Sequence, residues 1–438
     1  MEKIFLLSLG CPKNLVDSEN ILALLGEKQY IITDSPDEAD IIIVNTCAFL
    51  KAAVRESKTA IKEFTDKKKY KAAKVIVCGC LVQRFGEKLF DMHGIDAIAG
   101  AGSPQKVVEA VEKAGKNSRV ACFTPVPDTK DINAPRMLST YPYAYIKISE
   151  GCNNLCSYCL IPKLRGRLRS RNEDDIFEEA ESLFGMGIKE LILIAQDTAG
   201  YGSDSGRKNG LEKLLDRLAK ISFPWIRLMY AHPAHINEGL LQVISENRNI
   251  CRYLDIPLQH IHPEILKKMN RPLIDYGKLV DTIRKSVPDI RLRTTFIVGF
   301  PGETDGHFKR LLEFVRAKQF DRLGVFRYSK EKGTDAYAMS EHVREEIKLE
   351  REKLVMEEQK KISEKALSKL AGKEIEALVE GMERNFYAGR TQFDAPEIDG
   401  KIYFKKGTKT YNAGDFCRLR IISSDEHDLF AVPACNVI

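Results

Sequence analysis

The densest chemistry in the chain lies in one stretch, Gly151-Cys152-Asn153-Asn154-Leu155-Cys156-Ser157-Tyr158-Cys159. Three thiols at Cys-x3-Cys-x2-Cys spacing follow an alternating apolar run, Tyr145-Ile146-Lys147-Ile148-Ser149. Thiolates are soft ligands, suited to iron–sulfur clusters, zinc or copper(I). Their number decides among these. A structural zinc is usually closed by four ligands, whereas a four-iron cube held by three thiolates keeps one iron open. A zinc loop is the competing reading of the same spacing.

A second trio is spread through the first quarter of the chain. Cys11, Cys47 and Cys80 each follow a short apolar run: Ile4–Leu9, Ile41–Val44 and Val75–Val77. If those runs are strands of a parallel sheet, all three thiols emerge at its carboxyl-end edge, where such folds place ligands. The trio then reads as a second open cluster site, against the plainer reading of three thiols packed in turns. Cys78 is the alternative to Cys80. It continues its strand with a side chain on one sheet face, while Cys80 follows Gly79 into a loop, and Cys80 is preferred.

These residues need elements to position them, and 438 residues are too many for one ordinary core. Residues 1–115 alternate apolar strands with helical patterns, among them a helix over Asp17–Glu27 and one after Val75–Val77 running through Phe90, as in a parallel sheet covered on both faces. Residues 116–142, with Pro125, Pro127 and Pro135, read as a connector in which Cys122 stands alone. Residues 143–340 repeat strand and helix about six times, fewer than the eight of a closed barrel, so an open partial (βα)6 barrel is expected. Its first strand leads into the cysteine loop. Gln196-Asp197-Thr198, His232-Pro233, Gln259-His260 and Gly299-Phe300-Pro301-Gly302-Glu303-Thr304 follow later strands, on the face where barrel enzymes work. Gln196 and Asp197 are the candidates there for contact with a bound cofactor. Residues 341–371 read as a charged bridging helix, and residues 372–438 as a small OB-like β-barrel packing Cys417 and Cys435. The chain is thus a multidomain α/β protein with a β-barrel at its end.

Composition bounds the setting. With 44% hydrophobic and 30% charged residues the chain reads as globular, and no apolar run is long enough to cross a bilayer. Met1–Gly10 lacks the pattern of a signal peptide, so a cytoplasmic protein is expected. In that reducing setting eleven cysteines serve as ligands or buried thiols rather than disulfides. A net charge of +6 is mild for this size. The last barrel carries nine Lys or Arg against eleven Asp or Glu from Lys373 onward, which argues against gripping RNA.

The motifs resemble those of the methylthiotransferase family of radical S-adenosylmethionine enzymes along the whole chain. Ser8-Leu9-Gly10-Cys11-Pro12-Lys13-Asn14, Asn45-Thr46-Cys47-Ala48-Phe49 and Gly79-Cys80-Leu81-Val82-Gln83 are similar to its first cluster-binding segments. Ile148 through Pro162, with Arg165-Gly166, is similar to its catalytic cluster loop, and the last barrel to its TRAM domain. Gly10-Cys11-Pro12-Lys13-Asn14 and Ala195-Gln196-Asp197-Thr198 match the branch acting on small-subunit ribosomal protein uS12. The transfer RNA branch is expected to carry Gly-Cys-Gln-Met-Asn instead. The resemblance implies one [4Fe-4S] cluster on Cys11, Cys47 and Cys80 and another on Cys152, Cys156 and Cys159. The second would cleave S-adenosylmethionine to a 5′-deoxyadenosyl radical that takes hydrogen from the β-carbon of an aspartate. The first would deliver a methylated sulfur to that carbon. An electron donor such as flavodoxin or ferredoxin is implied as partner, with no membrane. The alternative is a transfer RNA methylthiotransferase acting on a modified adenosine.

Overall fold

The computed structural model describes residues 1–66, 69–70, 73–114, 119–124, 135–406 and 409–434. Pro125, Pro127 and Cys435 lie outside the described residues. The first sheet contains β1 (Lys3–Ser8), β2 (Ile31–Ile32), β3 (Ile41–Thr46), β4 (Lys74–Gly79), β5 (Ala97–Ala99) and β6 (Val120–Cys122). All pair in parallel, in the order β2-β1-β3-β4-β5-β6. Helices α1 (Pro12–Glu27) and α4 (Pro104–Lys113) cover one face, burying Ile21, Leu25, Val107 and Val111 against Ile41, Ile43 and Ile76. Helices α2 (Lys51–Phe64) and α3 (Cys80–Phe85) cover the other, with Ile61, Leu81 and Val82 on Ile42, Val44, Val75 and Val77. Coverage on both faces is why β3 and β4 are apolar without alternation.

Three details differ from the sequence reading. Helix α1 begins at Pro12 rather than near Asp17, because proline's fixed φ suits the first helical position, and this makes Cys11 the N-cap. Cys80 opens α3 directly after β4 rather than entering a loop, and at Gly86 (φ +57°) the expected long helix becomes a 3-10 turn. Val120–Cys122, which composition assigns to the connector, is an edge strand of the first sheet.

The middle of the chain starts with β7 (Tyr143–Lys147). A short antiparallel pair, β8 (Ser149–Glu150) and β9 (Arg169–Ser170), closes the base of the cysteine loop and of α5 (Ile161–Arg165). Then come α6 (Glu173–Gly185), β10 (Glu190–Ile194), α7 (Gly210–Leu218), β11 (Trp225–Leu228), α8 (Glu238–Glu246), β12 (Ile250–Gln259), α9 (Pro263–Lys268), α10 (Tyr276–Ser286), β13 (Arg291–Val298), α11 (Asp305–Lys318) and β14 (Arg322–Arg327). The six long strands pair in parallel in chain order from β7 to β14, an open arc with the helices packed on its outer face. The arc's inner face is filled from both ends. Leu15 and Val16 of α1 meet Tyr145, Ile192, Ile194 and Met229, and Leu378, Ala395 and Phe416 come from the last domain.

Helix α12 (Glu345–Ser368) runs along β14 to the final domain. There β15 (Glu374–Glu383), β16 (Phe386–Thr391), β17 (Ile402–Phe404), β18 (Phe416–Ser424) and β19 (Leu429–Pro433) form a closed barrel, with Cys417 in its core. Buried ion pairs seat this barrel on the arc. Glu190 receives Arg227 and Arg390, each at 2.6 Å, and Asp399 receives Arg293 at 2.6 Å and the Tyr253 hydroxyl at 2.7 Å. No helix among the described residues is long and apolar enough to cross a membrane.

Candidate metal centres

Strands β1, β3 and β4 are neighbours, so the residues after them arrive side by side at one sheet edge. Cys11 caps α1, Cys47 follows β3, and Cys80 begins α3. Two glycines permit this crowding. A Cβ on Gly10 (φ +97°) would lie 2.7 Å from the Cys47 Cβ, and one on Gly79 (φ +92°) would lie 2.6 Å from the Thr46 carbonyl oxygen. Asn14 braces the edge by donating to the carbonyls of Leu9 (2.9 Å) and Thr46 (3.0 Å). Cys80 is close enough to feel the charges of Cys11 and Cys47, and Cys47 that of Cys11. Cys78 points to the opposite sheet face, among Ile21, Ile43, Ile76 and Val107, and burial pushes its thiol well up.

The second trio sits on the loop after β8. Gly151 (φ +79°) brings the chain against the Arg167 carbonyl, and the Cys152 N–H donates to Gly166 at 3.2 Å. Ser157 ties the loop to the end of α9 through its N–H to Met269 (3.0 Å) and its hydroxyl to Lys268 (2.8 Å). The Ile161 N–H donates to Cys159 at 3.4 Å, and Arg271 to Cys156 at 3.9 Å. Burial pushes the thiols of Cys80 and Cys152 up to about 11 and that of Cys159 up to about 12. A bound cation reverses that, because it stabilises the thiolate.

A buried charge network joins the two loops. Arg165, on the helix that follows the second trio, is 2% exposed and donates from Nε to the Cys80 sulfur at 3.3 Å. Its other nitrogens reach Asp17 (2.9 Å), Glu150 (3.2 Å) and Asn14 (2.5 Å). Lys147 shares both acids, pairing with Asp17 and, at 3.3 Å, with Glu150. Sequence reasoning quoted Glu150 and Arg165 within a motif but gave them no role, and it passed over Arg271 and His235. Only the proximity of Glu150 and Arg165 to the cysteine loop hinted at the first two contacts.

Gln196 and Asp197 lie just beyond β10, beside this network. Gln196 donates to Glu150 at 2.5 Å, while its carbonyl oxygen is buried with no hydrogen-bond partner among the described residues. Asp197 accepts from Asn154 (2.7 Å) and from the N–H groups of Gly200 and His232 (3.2 Å each), and pairs with His235 Nδ1 at 2.8 Å. Desolvation opposes its charge, but His235 and the hydrogen bonds hold its carboxyl below the usual range. The Ser149 hydroxyl and His232 Nε2 are likewise buried without partners. Two sets of three soft donors, with unpartnered polar atoms around the second, fit two open iron–sulfur clusters and a polar ligand.

Three family models match: residues 3–100 the Uncharacterized protein family UPF0004, residues 146–315 the Radical SAM superfamily, and residues 371–433 the TRAM domain. The chain is 45% identical over 434 residues to the ribosomal protein uS12 methylthiotransferase RimO of Thermoanaerobacter sp. (strain X514), covering 98% of this chain and 99% of that one. It is 46% identical over 436 residues to the protein of the same name from Clostridioides difficile (strain 630), covering 98% of each. Among solved structures, the radical S-adenosylmethionine methyltransferase TsrM from Kitasatospora setae, with cobalamin and a [4Fe-4S] cluster bound, matches with a TM-score of 0.56. The identity is 15%, over 74% of this chain and 75% of that one, a likeness of fold.

Proposed function

This chain belongs to the ribosomal protein uS12 methylthiotransferase family of radical S-adenosylmethionine enzymes, and from that premise we propose that it replaces a hydrogen on the β-carbon of a uS12 aspartate with a methylthio group. The observation that carries this reading is the full-length identity to relatives of that name. S-adenosylmethionine is both methyl donor and radical source. An unactivated C–H bond resists acid–base removal, so two [4Fe-4S] clusters and S-adenosylmethionine, when bound, supply the one-electron chemistry and the sulfur.

The chain's own residues hold and orient. Cys11, Cys47 and Cys80 take one cluster, and Cys152, Cys156 and Cys159 the other. Arg165, with Asp17, Glu150 and Lys147, keeps the two loops in register across the domain boundary. Gln196 offers its unpartnered oxygen to S-adenosylmethionine, and Asp197 orients the cysteine loop through Asn154. The electron comes from a small carrier such as a flavodoxin or ferredoxin. The site of action is the cytoplasm, where uS12 is made and assembled. The acid-leaning last barrel suits a basic ribosomal protein better than RNA.

Mass spectrometry of ribosomal proteins and transfer RNA nucleosides, from cells with and without the gene, tests the reading. A methylthio-sized mass lost from an aspartate-containing uS12 peptide supports it. An unchanged peptide with a missing methylthioadenosine would replace it with the transfer RNA activity. Purified Cys11→Ala enzyme should still form 5′-deoxyadenosine while making no methylthiolated product.

A further inference from the structure

Lys13, in the first turn of α1, leaves the first domain and reaches the mouth of the barrel. Its ammonium donates to the carbonyl of Ala195, at the end of β10, at 3.3 Å and lies 3.8 Å from the centre of the Tyr230 ring. Tyr230 holds that position at φ +60°, a conformation unfavourable for an aromatic residue. Among the described residues no carboxylate forms an ion pair with Lys13. Two acids face it. Glu150 is taken by Lys147, Arg165 and Gln196, and Asp255, which accepts the Tyr230 N–H at 3.3 Å, makes no ion pair with Lys13 or with Arg293, whose carboxylate partner is Asp399. Arg271, another buried cation without a carboxylate partner among the described residues, is turned toward Cys156 and the Pro257 carbonyl.

Lys13 is half-buried, and an ammonium drawn partly out of water without an anion is poorly stabilised, as is a carboxylate. Lys13 is two residues from Cys11, in the first trio, and its ammonium touches the end of β10, where the next residue, Gln196, is bonded to Glu150 at the base of the loop that carries the second trio. The carbon to be modified must occupy that same space, and an aspartate carries its carboxylate one bond from that carbon. We propose that Lys13 receives the side-chain carboxylate of the substrate aspartate and thereby selects an acidic side chain. The inference rests on the reading of the substrate given above. Tyr230 and Ala195 hold the ammonium in place, and the incoming carboxylate completes its coordination.

The test uses the holoenzyme with S-adenosylmethionine but without reductant, so that binding is read without turnover. Calorimetry compares a uS12 peptide carrying the target aspartate with the same peptide carrying asparagine. The wild-type enzyme should bind the aspartate peptide about 10- to 100-fold more tightly, the size of one buried charge-assisted hydrogen bond. Lys13→Met should weaken the aspartate peptide to the level of the asparagine one, and Lys13→Arg should restore part of the preference. A Lys13→Met enzyme that keeps the wild-type ratio overturns the inference. So does a wild-type enzyme that does not discriminate, a result independent of how any variant folds. Adding reductant separates the two readings: no methylthiolated aspartate peptide from the wild type would remove the substrate reading, and this inference with it.

Discussion

Replacing Arg165 by leucine should destabilise the junction between the two thiol loops more than any surface change. The substitution keeps much of the volume but removes the donors to Cys80, Asp17, Glu150 and Asn14. Asp17 and Glu150 then share Lys147 alone, two buried carboxylates on one ammonium. Burial by itself would raise the Glu150 carboxyl; Arg165, the strongest opposing charge, and Lys147 hold it down at about 2. Breaking a buried pair by removing one partner costs about 3–5 kcal/mol. Urea unfolding of the full-length chain, with Arg165→Leu, Asp17→Asn and the double variant, measures the cost and the coupling. The expected loss for Arg165→Leu is about 3 kcal/mol, and the double variant should lose less than the two singles together by about 1–3 kcal/mol. Arg165→Lys should fall between, since a point charge cannot reproduce the fork. A loss below about 1 kcal/mol, or additivity within about 0.5 kcal/mol, would falsify the network argument.

Three further outcomes follow from the geometry. Cys78→Ala should leave iron content per chain unchanged, while Cys80→Ala should lower it by about half, one cluster of two; iron analysis showing the reverse would move the first site to the other sheet face. Burial, followed by the charges of His262, His307 and Arg351, pushes His260 down to about 3, so it stays neutral in the folded chain. The unfolded chain takes up that proton below about 6.5, so this contribution is present above that pH and is lost as pH falls toward 3. Between pH 7 and pH 5 the loss is about 2 kcal/mol. His260→Gln should flatten that decline in urea midpoints, and identical declines would sink the assignment. Glu190→Gln should weaken the seat of Arg227 and Arg390 by about 3–5 kcal/mol and expose the segment between α12 and β15 to limited proteolysis. An unaltered cleavage pattern would show that the last barrel is held by its apolar contacts alone.

Chemistry and element types were local properties, and they were legible. Cysteine spacing marks a soft-metal loop wherever it sits, and apolar runs such as Ile41–Val44 read as buried parallel strands because burial on both faces suppresses alternation. The six strand-and-helix units of the middle domain and the closed barrel after α12 were visible for the same reason: each is specified within a dozen or so neighbouring residues. The start of α1 was missed by five residues because proline at the first helical turn resembles a breaker in sequence, and Val120–Cys122 was missed because a three-residue edge strand carries too short a pattern.

What the chain order does not carry is which distant residues meet. That β1, β3 and β4 lie side by side, which brings Cys11, Cys47 and Cys80 to one edge, is a matter of sheet topology. Arg165 joins Asp17 across 148 positions, Lys13 reaches Ala195 across 182, and Arg390 reaches Glu190 across 200. Such pairings are chosen when domains close on one another and water leaves, because only then does an unpaired charge become costly and a partner decisive. What each segment could bind was written in its own residues. Docking of the three domains decided where the charges went, and with them the space between the two thiol trios.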